Sequence, residues 1–156
     1  MKIAIALVAA LAAAVPAATL TGDKAQVIGV HEVQAQLAQL APEAAAKGSS
    51  SAILSRYGNL AVMLSVRTAN GGGEVHQHFD DLMLVQQGSA TLVTGGTLVD
   101  PQAKPNGEFA GSSVKDGTSR QITVGDVLII PAGLPHQLLV PAGTTYSALV
   151  AKIKEP

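Results

Sequence analysis

Four histidines are available to this chain of 156 residues, and no cysteine. Two of them, His76 and His78, sit one residue apart in EVHQHFDDLMLVQQG, residues 74–88. On a strand, residues i and i+2 point to the same face, with Cα atoms about 6.6 Å apart, so two imidazoles can converge on one ion. Asp80 and Asp81 follow at once and offer a carboxylate after a tight turn. Residues 125–140, GDVLIIPAGLPHQLLV, present His136 just behind a Pro-Ala-Gly-Leu-Pro turn. Imidazoles with a carboxylate suit one divalent transition metal, whether Fe, Mn, Zn, Ni or Cu. Mg or Ca would want more oxygen donors. Taken alone, the His-x-His pair reads more readily as a polar strand face in water. Without cysteine there is no thiolate nucleophile, thiolate ligand or disulfide. His31 lies apart and reads as a surface residue.

The elements that must position these residues are short. SAILSR, NLAVMLSVR, EVHQH, LMLVQQ, SATLVT, RQITV, DVLIIP, HQLLVP and YSALVAKI are rich in branched residues and separated by Gly, Pro, Asn or Asp. Such spacing predicts an all-β sandwich or barrel. Tyr57-Gly58-Asn59 and Gln87-Gly88-Ser89 read as hairpin turns. Residues 95–119, loaded with Gly, Pro, Asp and Ser, read as a long surface excursion. Ahead of the strands, Val33, Leu37 and Leu40 fall at helical spacing, which predicts a short amphipathic helix ended by Pro42.

The two histidine-bearing segments resemble the paired motifs of the cupin superfamily. The first motif of that family is a glycine, His-x-His, a glutamate a few residues on, and a second glycine. Here Gly71 to Gly73, His76-Gln77-His78, an acid and Gly88 fill those places across residues 71–88. The second is a glycine, five residues, Pro-x-Gly, two residues and a histidine. Gly125, Pro131-Ala132-Gly133 and His136 match it in full, within residues 125–140. The resemblance implies a double-stranded β-helix, a jelly-roll barrel, with a short N-terminal helix and a metal held inside by His76, His78, His136 and an aspartate. The acid departs from the family pattern, being Asp rather than Glu and one residue closer to the pair. The family's interval to the closing glycine selects Asp81 over Asp80. Parity then turns Met83 and Val85 inward, and Leu138 and Val140 follow from His136. These four are the expected substrate-binding residues of an apolar cavity. Arg67 and Lys152 are expected as solvated strand charges, since Lys and Arg are rarely buried.

Composition bounds the rest. Lys2, the uncharged apolar run to Val15 and the small residues around Pro16 to Ala18 have the layout of a secretory signal peptide, residues 1–18. The run is shorter than the ~20 residues a membrane span needs. Cleavage would leave one cupin domain, residues 19–156, exported to the periplasm or medium. A formal net charge of −1 argues against nucleic acid or anionic lipid as partner. The expected partner is a small-molecule ligand, with room for a homodimer. The fold analogy favours a metal-dependent, oxygenase-type enzyme acting on a small organic molecule, with a non-catalytic metal- or ligand-binding protein and a structural metal as alternatives.

Overall fold

The computed structural model describes residues 24–156 and the backbone of Ala18–Thr19. The expected leader therefore lies outside the described residues, save Ala18. The strands are β1 (Ala18–Thr19), β2 (Ser49–Tyr57), β3 (Leu60–Arg67), β4 (Gly73–His76), β5 (Phe79–Gln87), β6 (Ser89–Thr94) and β7 (Thr97–Val99). They continue as β8 (Gln102–Lys104), β9 (Glu108–Gly111), β10 (Ser113–Lys115), β11 (Thr118–Thr123), β12 (Val127–Ile130), β13 (His136–Leu139) and β14 (Tyr146–Lys154). A helix, α1 (Val30–Lys47), precedes β2.

Two six-stranded sheets face each other. The first runs β1-β2-β3-β14-β5-β12 and the second β11-β6-β13-β4-β9-β8, with β7 and β10 as a separate pair. Apart from the short parallel β1·β2 contact, the pairings are antiparallel. Between the sheets lies a core that includes Met83, Val85, Leu128, Ile130, Tyr146, Ala148 and Val150.

The first sheet is covered on its other face too. Leu64 and Val66 of β3 point away from the core and pack with Leu54 against Leu40 and Ala44 of α1. Leu64 is fully buried there, and such burial contributes about 1.5–3 kcal/mol. The alternate residues Met63, Ser65 and Arg67 therefore face the barrel interior.

Helix α1 does not stop at Pro42 as the sequence predicts; it runs on to Lys47. The ring forfeits one backbone bond. Ala44 beyond it is completely buried on the sheet, and the alanines that follow are strong helix formers. Gly48 ends the helix at φ 87°, its N–H donating to Ala44 O at 2.7 Å.

Three further expectations change. Gly58-Asn59 does close the β2–β3 hairpin, but Gly88 does not join paired strands: β5 and β6 lie in different sheets. Gly88 carries the crossing at φ 72°, where any Cβ would run into Thr145 O. Residues 95–119 are not irregular, since β7 to β10 occupy most of them. The EVHQH strand ends at His76, and Gln77-His78 is the turn that takes the chain from the second sheet to the first.

Candidate metal centre

That turn decides which residues meet. His76, the last residue of β4, is buried and points inward together with Glu74, two residues earlier. His78 is exposed, its ring lying over Gly107. Gln77 N–H donates to Gly107 O at 2.9 Å, which fixes the turn. The inward i, i+2 pair is thus Glu74 and His76, and the structure does not bring His78 to the site.

His136 arrives from β13, directly opposite Glu74 in the ladder. The turn before it is tied to the first histidine: Gly133 N–H donates to His76 O at 2.9 Å. Asp80, half-buried, holds the same turn by accepting Ala132 N–H at 2.8 Å. Asp81 points the other way and is buried. Its Oδ2 lies 3.4 Å from His76 Nε2, and its Oδ1 lies 3.0 Å from Lys152 Nζ on the neighbouring strand β14.

Glu74, His76 and His136 each offer one donor atom within 4.8 Å of the others. Glu74 Oε2 is 3.8 Å from His76 Nε2 and 3.9 Å from His136 Nε2. The ring centroids are 5.1 Å apart. Each far ring nitrogen is already engaged. His136 Nδ1 lies 3.1 Å from Leu134 O, which can only accept, so Nδ1 carries the hydrogen. His76 Nδ1 hydrogen-bonds the Glu108 carboxylate from β9. Both Nε2 lone pairs are thereby turned toward Glu74, the arrangement in which an oxygen acceptor orients a metal-binding imidazole. The donor set fits a divalent transition ion.

Charge in the site is unevenly held. Burial works against a charged His76, yet the Asp81 carboxylate, which would accept from a protonated Nε2, together with Glu108 overrides burial and the Lys152 charge, so its pKa is raised. Burial dominates at His136 and lowers its pKa, with His76 adding to the effect. Of the two imidazoles, His76 takes a proton first. Burial would raise Asp81, but His76 and Lys152 more than offset it and hold the carboxyl below its usual value.

The group opens into a cavity of about 510 Å³. Its wall is not the apolar one expected. Met83 and Leu138 line it, whereas Val85 and Val140 are packed in the core. Arg67 and Lys152, expected in solvent, line it as well, as do Ser49, Ser51 and Ser65. The reason is the helix: with α1 on the outer face of the first sheet, the apolar residues of β3 face outward and the polar ones inward. Glu74 and Glu108 escaped the sequence reading. Glu74 was legible as the residue two before His76; Glu108 sits in the segment taken for a loop.

No protein-family profile and no curated protein sequence matches the chain. Solved structures do. A Bacillus halodurans protein, BH2720, is similar over 86% of this chain and 85% of its own, at 15% identity and a TM-score of 0.56. The cupin domain of Schizosaccharomyces pombe Cnp3 is similar over 69% and 61%, at 11% identity and a TM-score of 0.52. The DMSP lyase DddQ of Ruegeria pomeroyi is similar over 69% of this chain at 16% identity and a TM-score of 0.51, and the match spans 48% of the lyase. The chain has the cupin fold, a double-stranded β-helix with one N-terminal helix. Inside it is a His/Glu group that could hold a metal.

Proposed function

We propose that the protein is a metal-dependent cupin enzyme that binds one divalent transition ion through Glu74, His76 and His136, with Asp81 as fourth donor, and acts on a small organic molecule in the adjoining cavity. The observation that carries this reading is the pair of Nε2 atoms turned onto one Glu74 oxygen, each ring fixed from behind. A bound ion would supply Lewis acidity toward a substrate oxygen. The chain's own residues do the rest. Glu108 and Leu134 O fix the imidazole tautomers, Lys152 keeps Asp81 ionised, and the cavity size lies within the ~300–1,000 Å³ of small-ligand sites.

Metal content by atomic absorption tests the centre. Glu74→Gln, His76→Ala and His136→Ala should lose most of the ion, while His78→Ala keeps it. Equal retention in all four would sink the assignment. Oxygen uptake with small phenolic, keto and thiol compounds then tests for turnover.

A second reading, a non-catalytic metal or ligand carrier, is favoured by one observation. Asp81 is already paired with Lys152 and held ionised, which makes it a weak base. Metal uptake without turnover of any compound would select it. We also infer an exported protein, on the strength of Lys2 and the apolar run behind it; mass spectrometry of the processed chain should find its N-terminus at Ala18 or Thr19, and an intact Met1 would refute this.

A further inference from the structure

Arg67 is the last residue of β3, at the inner wall of the cavity. Its side chain is 19% exposed, so its charge is largely withdrawn from water. The compensation is thin. The nearest carboxylate is Glu74, whose Oε1 stands 3.7 Å from Nη2, in ion-pair range but beyond hydrogen-bond reach, while its Oε2 is turned to the two imidazoles. The guanidinium Nε is buried without a hydrogen-bond partner among the described residues. A buried cation held in this way is costly unless an anion completes it.

The backbone makes room for this placement. A Cβ at Gly71 would come within 2.8 Å of Arg67 Nη1, so a side chain there would displace the guanidinium. Gly71 is itself pinned, its N–H donating to Leu138 O at 2.8 Å. Across the sheet Arg67 is opposite Ser49 on one side and Tyr146 on the other, and the next inward pair is Ser51 with Ser65. Arg67 thus stands at the head of a short field of hydroxyls. Ser49 and Ser51 are exposed at the cavity mouth and Ser65 is half-buried. Met83 and Val150 form the apolar floor.

We propose that Arg67 is the anchor for the carboxylate of a hydroxylated organic acid, whose hydroxyl groups are met by Ser49, Ser51 and Ser65. A guanidinium binds a carboxylate through two parallel N–H···O bonds, and in a partly desolvated site each such bond is stronger than a neutral one. Lys152 cannot serve in its place, because Asp81 already faces it at 3.0 Å. The assignment names the substrate class of the cavity and so rests on that cavity being the reaction site.

Gluconate and sorbitol make the test, since they differ only in carrying a carboxylate or a hydroxymethyl at one end. Calorimetric titration is run on wild type and on Arg67→Gln and Arg67→Lys, with metal content read on the same samples. Wild type should prefer gluconate at least about tenfold, Arg67→Gln should lose that preference, and Arg67→Lys should keep part of it. The comparison is repeated on metal-stripped protein, because a bound ion would itself draw a carboxylate, and Arg67→Lys covers the case in which Arg67→Gln fails to fold. Equal affinity for the two compounds, no gluconate binding, or unchanged binding in Arg67→Gln each overturns the proposal. A parallel loss of metal and gluconate in Arg67→Gln also overturns it, since Arg67 would then act by holding Glu74. A wild type that takes up no metal yet binds gluconate through Arg67 removes the metal centre and leaves the anion subsite standing.

Discussion

Lys152 Nζ lies 3.0 Å from Asp81 Oδ1 across the paired strands β14 and β5, a largely buried ion pair at the edge of the candidate metal centre. Lys152→Met should leave the Asp81 carboxylate buried and uncompensated. The lysine is 24% exposed, so the loss should be about 1–2 kcal/mol, below the ~3–5 of a fully buried pair. Asp81 has a folded pKa below its ordinary 3.8. Its stabilisation is therefore present above pH 3.8 and lost as pH falls through the folded value. Urea unfolding of metal-free protein should show the two chains apart at pH 7 and converging below pH 4. An undiminished gap at pH 3 would refute this origin.

Glu108 should act on the metal without touching it. Its carboxylate engages His76 Nδ1 from β9. Glu108→Gln should weaken metal affinity about 10–100-fold, the usual effect of losing such a partner, while His78→Ala, at the neighbouring turn, changes affinity little. Competition with a chelator measures both; an unaltered affinity in Glu108→Gln would show that the contact is incidental.

Tyr146 is fully buried, with no hydrogen-bond partner for its hydroxyl among the described residues. Burial pushes its pKa up to about 12, against a small opposing effect of Arg67. A folded pKa above the unfolded 10.0 means stability fully present below pH 10 and lost as pH rises toward 12. The loss amounts to about 2–3 kcal/mol at 1.36 kcal/mol per unit. Tyr146→Phe should abolish this alkaline sensitivity, and at pH 7 it should be neutral or mildly stabilising, because an unpaired buried hydroxyl is removed. Tyrosinate absorbance and denaturant midpoints across pH 8–12 check both.

Pro42 lies inside α1. Pro42→Ala restores the missing backbone bond to Ala38 and should raise stability by about 1–3 kcal/mol, up to the full cost of an interior proline. A lower thermal midpoint would mean that the helix needs the bend the ring imposes.

The β character, the hairpin at Gly58 and the inward turn of Met83 were legible because each depends on near neighbours and a period of two. The cavity's polarity was not. Parity on β3 says that Leu64 and Val66 share one face and Ser65 and Arg67 the other, but only the packing of α1 says which face is inside. The identity of the inward pair turned on one residue. A strand ending at His78 would have aligned His76 with His78; the strand ends at His76, because the chain must leave one sheet for the other there. Glu108 reaches His76 through a ladder between segments 32 residues apart, and no local pattern records such a pairing.

Among the described strands β14 comes last in sequence, yet it lies between β3 and β5 in the first sheet. Until residues 146–154 leave the ribosome, β2–β3 and β5–β12 are two separate ribbons whose inner edges have nothing to pair with. The same arrangement makes β14 the strand the sheet can least spare: deleting residues 146–154 would remove Lys152 from the cavity and split a sheet down its middle.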